Sequence, residues 1–206
     1  MRVTRFLMVL SVVLAICAGV MIAQDGKGPG GGKGGGKGKG GGGGIPAPLV
    51  LKIADYPDGG QIPAKMGCGG GNMGISPKID WTGAPAGTAT FALILHDTDV
   101  DVAGDNGPDV LHWAIFNIPG TATGLPEHVT DTAGVPAGSV QLKNIAQQVG
   151  FMNPCPPPPT VHHYIIEAYA LDTKLDVPAT GTRTDLLNAM KGHVRAKGTY
   201  TASYHQ

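Results

Sequence analysis

Residues 24–44 hold 14 glycines in 21 positions, and this stretch decides where a fold can form. Glycine loses the most conformational freedom on folding and offers no side chain to bury, so the tract is expected to be a disordered linker. Four lysines punctuate it: Lys27, Lys33, Lys37 and Lys39. The preceding residues 1–23 open with Arg2 and Arg5 and continue as 18 uncharged, mostly apolar residues from Phe6 to Ala23. A basic start before an apolar run is the layout of a secretory signal peptide, and 18 residues also suffice for an uncleaved anchor. The chain is therefore expected to be exported, to the periplasm or the extracellular space, either free or anchored by this segment. Envelope contact, if any, is expected through the leader or the Gly/Lys linker. The globular part is confined to residues 45–206, which suit one domain with a sizeable core.

The formal net charge of zero averages over unlike parts. Six of the 15 basic residues lie before residue 45, leaving nine against fourteen acidic residues in the domain, a net charge of −5. Nucleic-acid binding needs a basic face that displaces counterions, and this domain does not offer one. Any anion site must then be a local pocket.

The pattern of the domain is dominated by strands. Strands are predicted at Leu49–Ile53, Phe91–Leu95, Val110–Ile118, Tyr164–Leu171 and Gly198–Tyr204. Phe91–Leu95 is continuously apolar, as in a strand covered on both faces. One helix is predicted after Thr182, where Asp185 completes a capping box and Leu186, Leu187, Met190 and Val194 recur at helical spacing. His193 is expected to close its last turn and Gly198 to lie just past its end. Long Pro- and Gly-rich loops join these elements. The list implies a mainly β fold, a two-sheet antiparallel sandwich with one or two short C-terminal helices. Export permits a disulfide between Cys68 and Cys155, but their pairing stays open at the level of sequence.

Three stretches gather polar side chains at strand ends. His96-Asp97-Thr98-Asp99-Val100-Asp101 follows the first buried strand; His112-Trp113 lies within the next; and Asn153-Pro154-Cys155-Pro156-Pro157 leads through a proline-rich loop to His162-His163-Tyr164. His162 and Tyr164 are two apart and so share one side of their strand. The alternating aspartates resemble a calcium loop, but Val102 stands where glycine is required and Pro108 where glutamate is required. The ligand types of His96, Asp97, His112 and His162 also suit a metal, but a pocket without metal or cofactor is expected.

These motifs, with Ser76-Pro77-Lys78-Ile79-Asp80-Trp81, Asn117-Ile118-Pro119, Leu125-Pro126-Glu127 and Gly192-His193-Val194 in order, resemble the phosphatidylethanolamine-binding protein family, in its bacterial Raf-kinase-inhibitor-like branch. The resemblance runs from about Leu49 to the C-terminus. It implies a two-sheet β-sandwich whose pocket binds phosphate-like anions, including phospholipid head groups. The positions it marks as ligand-binding are Asp97, Asp99, His112, Pro154, His162 and Tyr164. The chain departs from the family pattern at Thr98, Asn153 and His163, where the family has Pro, Gly and Arg.

The expected function is accordingly an exported binding protein, regulatory in role, for an anionic small molecule or phospholipid head group. Histidine donors suit an anion, with Asp97 accepting a proton from a pocket histidine or meeting an ammonium group. Binding is expected to strengthen as pH falls through the histidine range. No Gly-x-Ser-x-Gly elbow, P-loop or dinucleotide fingerprint is present, and Ser76 has no base beside it, so no enzyme is expected. The alternatives are a protease- or kinase-type inhibitor that meets a protein target and, further off, a phosphoester hydrolase. A second copy of the chain is a further candidate partner.

Overall fold

The structure is a computed structural model and describes residues 48–68, 74–100 and 109–206. The leader and linker expected at 1–44 lie outside the described residues. The compact unit to which the described residues belong runs from Gly43 to Gln206.

Among the described residues nine strands form two sheets. In chain order they are β1 (Val50–Ile53), β2 (Gly60–Gln61), β3 (Ile79–Thr82), β4 (Thr90–Asp97), β5 (Val110–Pro119), β6 (Gly124–Leu125), β7 (Val140–Gln141), β8 (His162–Leu171) and β9 (Val194–Tyr204). A short 3-10 turn covers Ala64–Met66, and one α-helix, α1, covers Arg183–Met190. The small sheet has the order β1-β3-β6 and the large one β2-β9-β8-β4-β5-β7. Every pairing is antiparallel except β2 with β9, where Gly60 and Gln61 run parallel to Ala202 and Ser203. Apart from this two-residue edge pairing the two-sheet sandwich is antiparallel, as expected. Gly59, at φ +76°, turns the chain there, and the Asp58 carboxylate accepts the Thr201 N–H at 2.7 Å, which lays β2 along the edge of β9.

β4 sits inside the large sheet and is buried along its whole length, as its apolar run implies. Its alternate residues serve two cores. Phe91, Leu93 and Leu95 join Leu51, Ile79 and Trp81 of the small sheet between the two layers. Ala92 and Ile94 face the other way, where Leu186 and Met190 of α1 cover the large sheet. Burying side chains of this size contributes about 1.5–3 kcal/mol each, so both sides of β4 are strongly held.

Helix α1 starts where its capping box predicts: the Thr182 hydroxyl accepts the Asp185 N–H and the Asp185 side chain accepts the Thr182 N–H. It ends earlier than expected, at Met190. Val194 opens β9 instead of extending the helix, and Gly198 lies inside that strand. A Cβ at Gly198 would run into the carbonyl oxygen of Leu49, so glycine is required where the chain entering β1 crosses β9. His193 lies beyond the helix, past Gly192 at φ +80°, and its Nδ1 meets Asp172 at 2.8 Å.

Candidate functional site

The neighbouring strands β8, β4 and β5 bring their polar residues to one end of the large sheet. Asp97, the last residue of β4, stands opposite Val110 on one side and Tyr164 on the other. His96 and Asp97 are thus strand residues, not the start of a loop, and alternate between the two faces.

The position of His112 depends on an irregularity in β5. Leu95 of β4 faces Trp113, whereas His96 faces Leu111, so His112 is an extra residue in the ladder. Such a bulge reorients the side chain it carries. Trp113 packs in the core between the sheets and Leu111 in the core beneath the helix, while His112 packs edge-on to Tyr164, ring centroids 5.2 Å apart. The bulge therefore turns two adjacent residues, His112 and Trp113, toward the same side. The loop before β8 fastens onto it: the Met152 N–H donates to the His112 carbonyl at 2.9 Å, and the His112 Nδ1 meets the Met152 carbonyl at 3.0 Å. Phe151 packs edge-on to Trp113 at 5.9 Å.

Asp97, His112 and His162 line one recess of about 660 Å³, walled by Phe151, Met152 and Pro156 and by the cysteines at 68 and 155. The His162 Nδ1 meets Asp97 Oδ2 at 2.6 Å, and Asp97 Oδ1 accepts the Asp99 N–H at 3.0 Å. Both carboxylate oxygens of Asp97 are thereby engaged. The Nε2 atoms of His112 and His162 have no hydrogen-bond partner among the described residues. Burial pushes His112 below the ordinary histidine range, outweighing its bond to Met152 and the nearby Asp97 charge, both of which act the other way. Burial is also the main reason the Tyr164 hydroxyl is pushed well above its ordinary range, with the Asp97 charge adding to it. That hydroxyl is buried beside Asp97 without a well-formed hydrogen bond.

The phosphatidylethanolamine-binding protein family pattern matches residues 52–205, which take in all of the sandwich but the first two residues of β1 and include every described residue that lines the recess. The chain belongs to this family. A relative from Methanothermobacter thermautotrophicus, a UPF0098 protein, is 40% identical over 158 residues, covering 76% of this chain and 98% of the relative. The crystal structure of Escherichia coli YbcL, described as a new member of the mammalian PEBP family, is 30% identical with a TM-score of 0.69, covering 78% of this chain and 99% of YbcL. The PEBP homolog CT736 of Chlamydia trachomatis is 29% identical with a TM-score of 0.66, covering 77% of this chain and 98% of the homolog.

Of the six residues marked by the family resemblance, three line the recess of this PEBP domain and three do not. Asp99 turns outward. Burial acts against its carboxylate, but bonds from the His163 N–H and ring outweigh that and hold it below the usual carboxylate range. Its place in the structure is that of a turn residue that fixes the start of β8. Pro154 is buried among Tyr56, Met66 and Tyr164, beneath the recess floor. Tyr164 lies behind His112, on the same side of β8 as His162 but deeper. Among the described residues no group of three or more His, Cys, Asp or Glu side chains is placed to hold a metal ion.

Two further features of the family domain are settled by the structure, one a pairing the sequence left open and one it did not predict. Cys68 and Cys155 form a disulfide with a Cα separation of 5.2 Å, tying the segment after the 3-10 turn to the proline-rich loop. On the opposite face of β4, His96 Nδ1 meets Asp109 at 2.6 Å, and Asp109 also pairs with the buried Arg183 at the start of α1. Only the composition of the first stretch, with its histidine next to Asp97, hinted at the second.

Proposed function

We propose that the protein is an exported anion-binding protein whose recess takes a phosphate-bearing small molecule or head group and releases it unchanged. One observation carries this reading: two histidines, each anchored through Nδ1, meet in one recess with no partner among the described residues at Nε2. Anchoring one ring nitrogen fixes the orientation of the other, which is how a binding site preorganises its contacts.

Binding without turnover is favoured by the lining of the recess. Among the described residues it holds no Ser, Thr, Tyr or Lys, and its two cysteines are tied up in the disulfide, so no side-chain nucleophile stands beside the histidines. Export rests on the basic-then-apolar leader before the Gly/Lys tract.

The test is calorimetry on the full chain at pH 6 with inorganic phosphate, phosphoethanolamine and a neutral diol. The phosphorylated ligands are expected to bind and the diol is not. The H162A variant should weaken phosphate at least ten-fold, the loss of a charge-assisted contact of about 1.5–3 kcal/mol. Equal binding of the diol, or an H162A variant that binds as the wild type does, would reject the reading.

A further inference from the structure

The recess holds an acceptor where an anion site is usually built from donors. The Nδ1 of His112 faces the Met152 carbonyl at 3.0 Å. A carbonyl oxygen only accepts, so the proton of the ring sits on Nδ1 and, in the neutral ring, Nε2 is a lone pair. Burial among apolar neighbours favours that neutral form. Nothing nearby cancels the lone pair with a fixed positive charge: no Lys or Arg is among the described residues that line the recess. Asp97 offers no relief, since a carboxylate that already accepts from His162 and the Asp99 N–H brings neither a donor nor a positive charge.

A fully ionised oxyanion would set its own lone pairs against His112 Nε2. A hydroxyl on the anion removes the conflict. Resting on the anion-site reading above, we infer that the recess selects a proton-bearing oxyanion, a phosphomonoester in its monoprotonated form, over phosphodiesters and sulfate. The P–O–H donates to His112 Nε2, and an unprotonated oxygen of the same group accepts from His162 Nε2 when that ring is an imidazolium. A site that hydrogen-bonds a ligand hydroxyl rejects the analogue lacking it, because its own polar group is left unpaired.

Two ligands of equal charge separate this from simple anion capture. Methyl phosphate as a monoanion and dimethyl phosphate both carry one negative charge, but only the first has a P–O–H. Calorimetry on the full chain at pH 5.5 should find methyl phosphate bound at least ten-fold more tightly than dimethyl phosphate, with inorganic phosphate ahead of sulfate by a similar factor. The H112Q variant, whose amide can donate to an unprotonated oxygen, should narrow both gaps; H162A should weaken all four ligands, and far-ultraviolet circular dichroism should show both variants folded. Phosphatidylcholine vesicles doped with phosphatidic acid, a monoester, or with phosphatidylglycerol, a diester, identify the source. Displacement of the protein from the first by methyl phosphate, with none from the second, points to a lipid head group. Binding of free methyl phosphate with no displaceable vesicle binding points to a soluble phosphomonoester. Equal affinity for methyl and dimethyl phosphate overturns the proton requirement while leaving the anion pocket standing. No binding of any of the four by the wild type overturns the pocket and this inference together.

Discussion

His112 and Met152 are bonded to each other in both directions: the Met152 N–H donates to the His112 carbonyl at 2.9 Å, and the His112 ring donates to the Met152 carbonyl at 3.0 Å. The strand bulge and the loop that covers it thus stabilise one another, and the ring is buried in the process.

This burial gives stability a pH dependence. The folded His112 is held below the ordinary histidine range, chiefly by loss of solvent. Above about pH 6.5 the ring is neutral in both the folded and unfolded chain, and it has no effect on the slope. As pH falls below that value the unfolded ring takes up a proton that the folded ring resists, so stability declines until the folded ring titrates as well. Urea unfolding from pH 8 to pH 5 should show a decline that H112Q reduces. Parallel curves for the two proteins would mean that the folded ring titrates normally.

The Cys68–Cys155 disulfide closes a long loop, its cysteines 87 residues apart in sequence. Restricting the unfolded chain in this way is worth about 2–5 kcal/mol. A C68A/C155A double variant should therefore unfold at a lower temperature by about 5–15 °C for a domain of this size. Thermal unfolding with and without dithiothreitol checks it: the reductant should reproduce the shift in the wild type and leave the double variant unmoved.

Two glycines that look alike in sequence should respond differently to alanine. At Gly198 a methyl meets the Leu49 carbonyl, backbone that has to shift before the two sheets can pack. At Gly192 nothing lies within 4 Å, and only the positive φ of 80° opposes alanine. G192A should cost about 1–2 kcal/mol, and G198A about 1–3 kcal/mol or more as an overpacked site. Urea midpoints rank them; G198A as stable as the wild type would place the β1–β9 crossing elsewhere.

Arg183 pairs with Asp109 in a buried network that includes His96. Removing one partner of a buried pair leaves the other charge uncompensated, at a cost of about 3–5 kcal/mol. R183M should lose that much in urea unfolding. The R183M/D109N double variant should recover part of it, because the stranded charge is gone.

The sequence carried the buried strands well, for reasons that explain what it did not carry. The apolar runs at Phe91–Leu95 and Val110–Ile118 are strands covered on both faces, and the Thr182–Asp185 pair does cap α1. The first half of β9 was hidden because Val194 falls at helical spacing from Met190. Its actual partner is Leu171, on a strand distant in sequence. β2, β6 and β7 pair through two residues each, too few for any periodicity. At the site, Asp97, His112 and His162 were legible through their ordered motifs. That Tyr164 and Pro154 lie beneath the recess was not, because alternation tells which side of a sheet a residue takes but not what loop covers it. The cysteine pairing was hidden for a similar reason, since only the folded chain brings Cys68 and Cys155 together.

The extra residue at His112 makes the site depend on counting as well as chemistry. Deleting one residue between Leu111 and Trp113 would remove this bulge, leaving the separate irregularity between Phe91 and Leu93, and leave room for only one of the two adjacent side chains on that face. The tryptophan, which fills the core, would keep its place, and the imidazole would be lost from the recess. A one-residue gap at this point in a relative therefore marks a sandwich that still folds but has given up its acceptor, even if every aspartate and proline around it is retained.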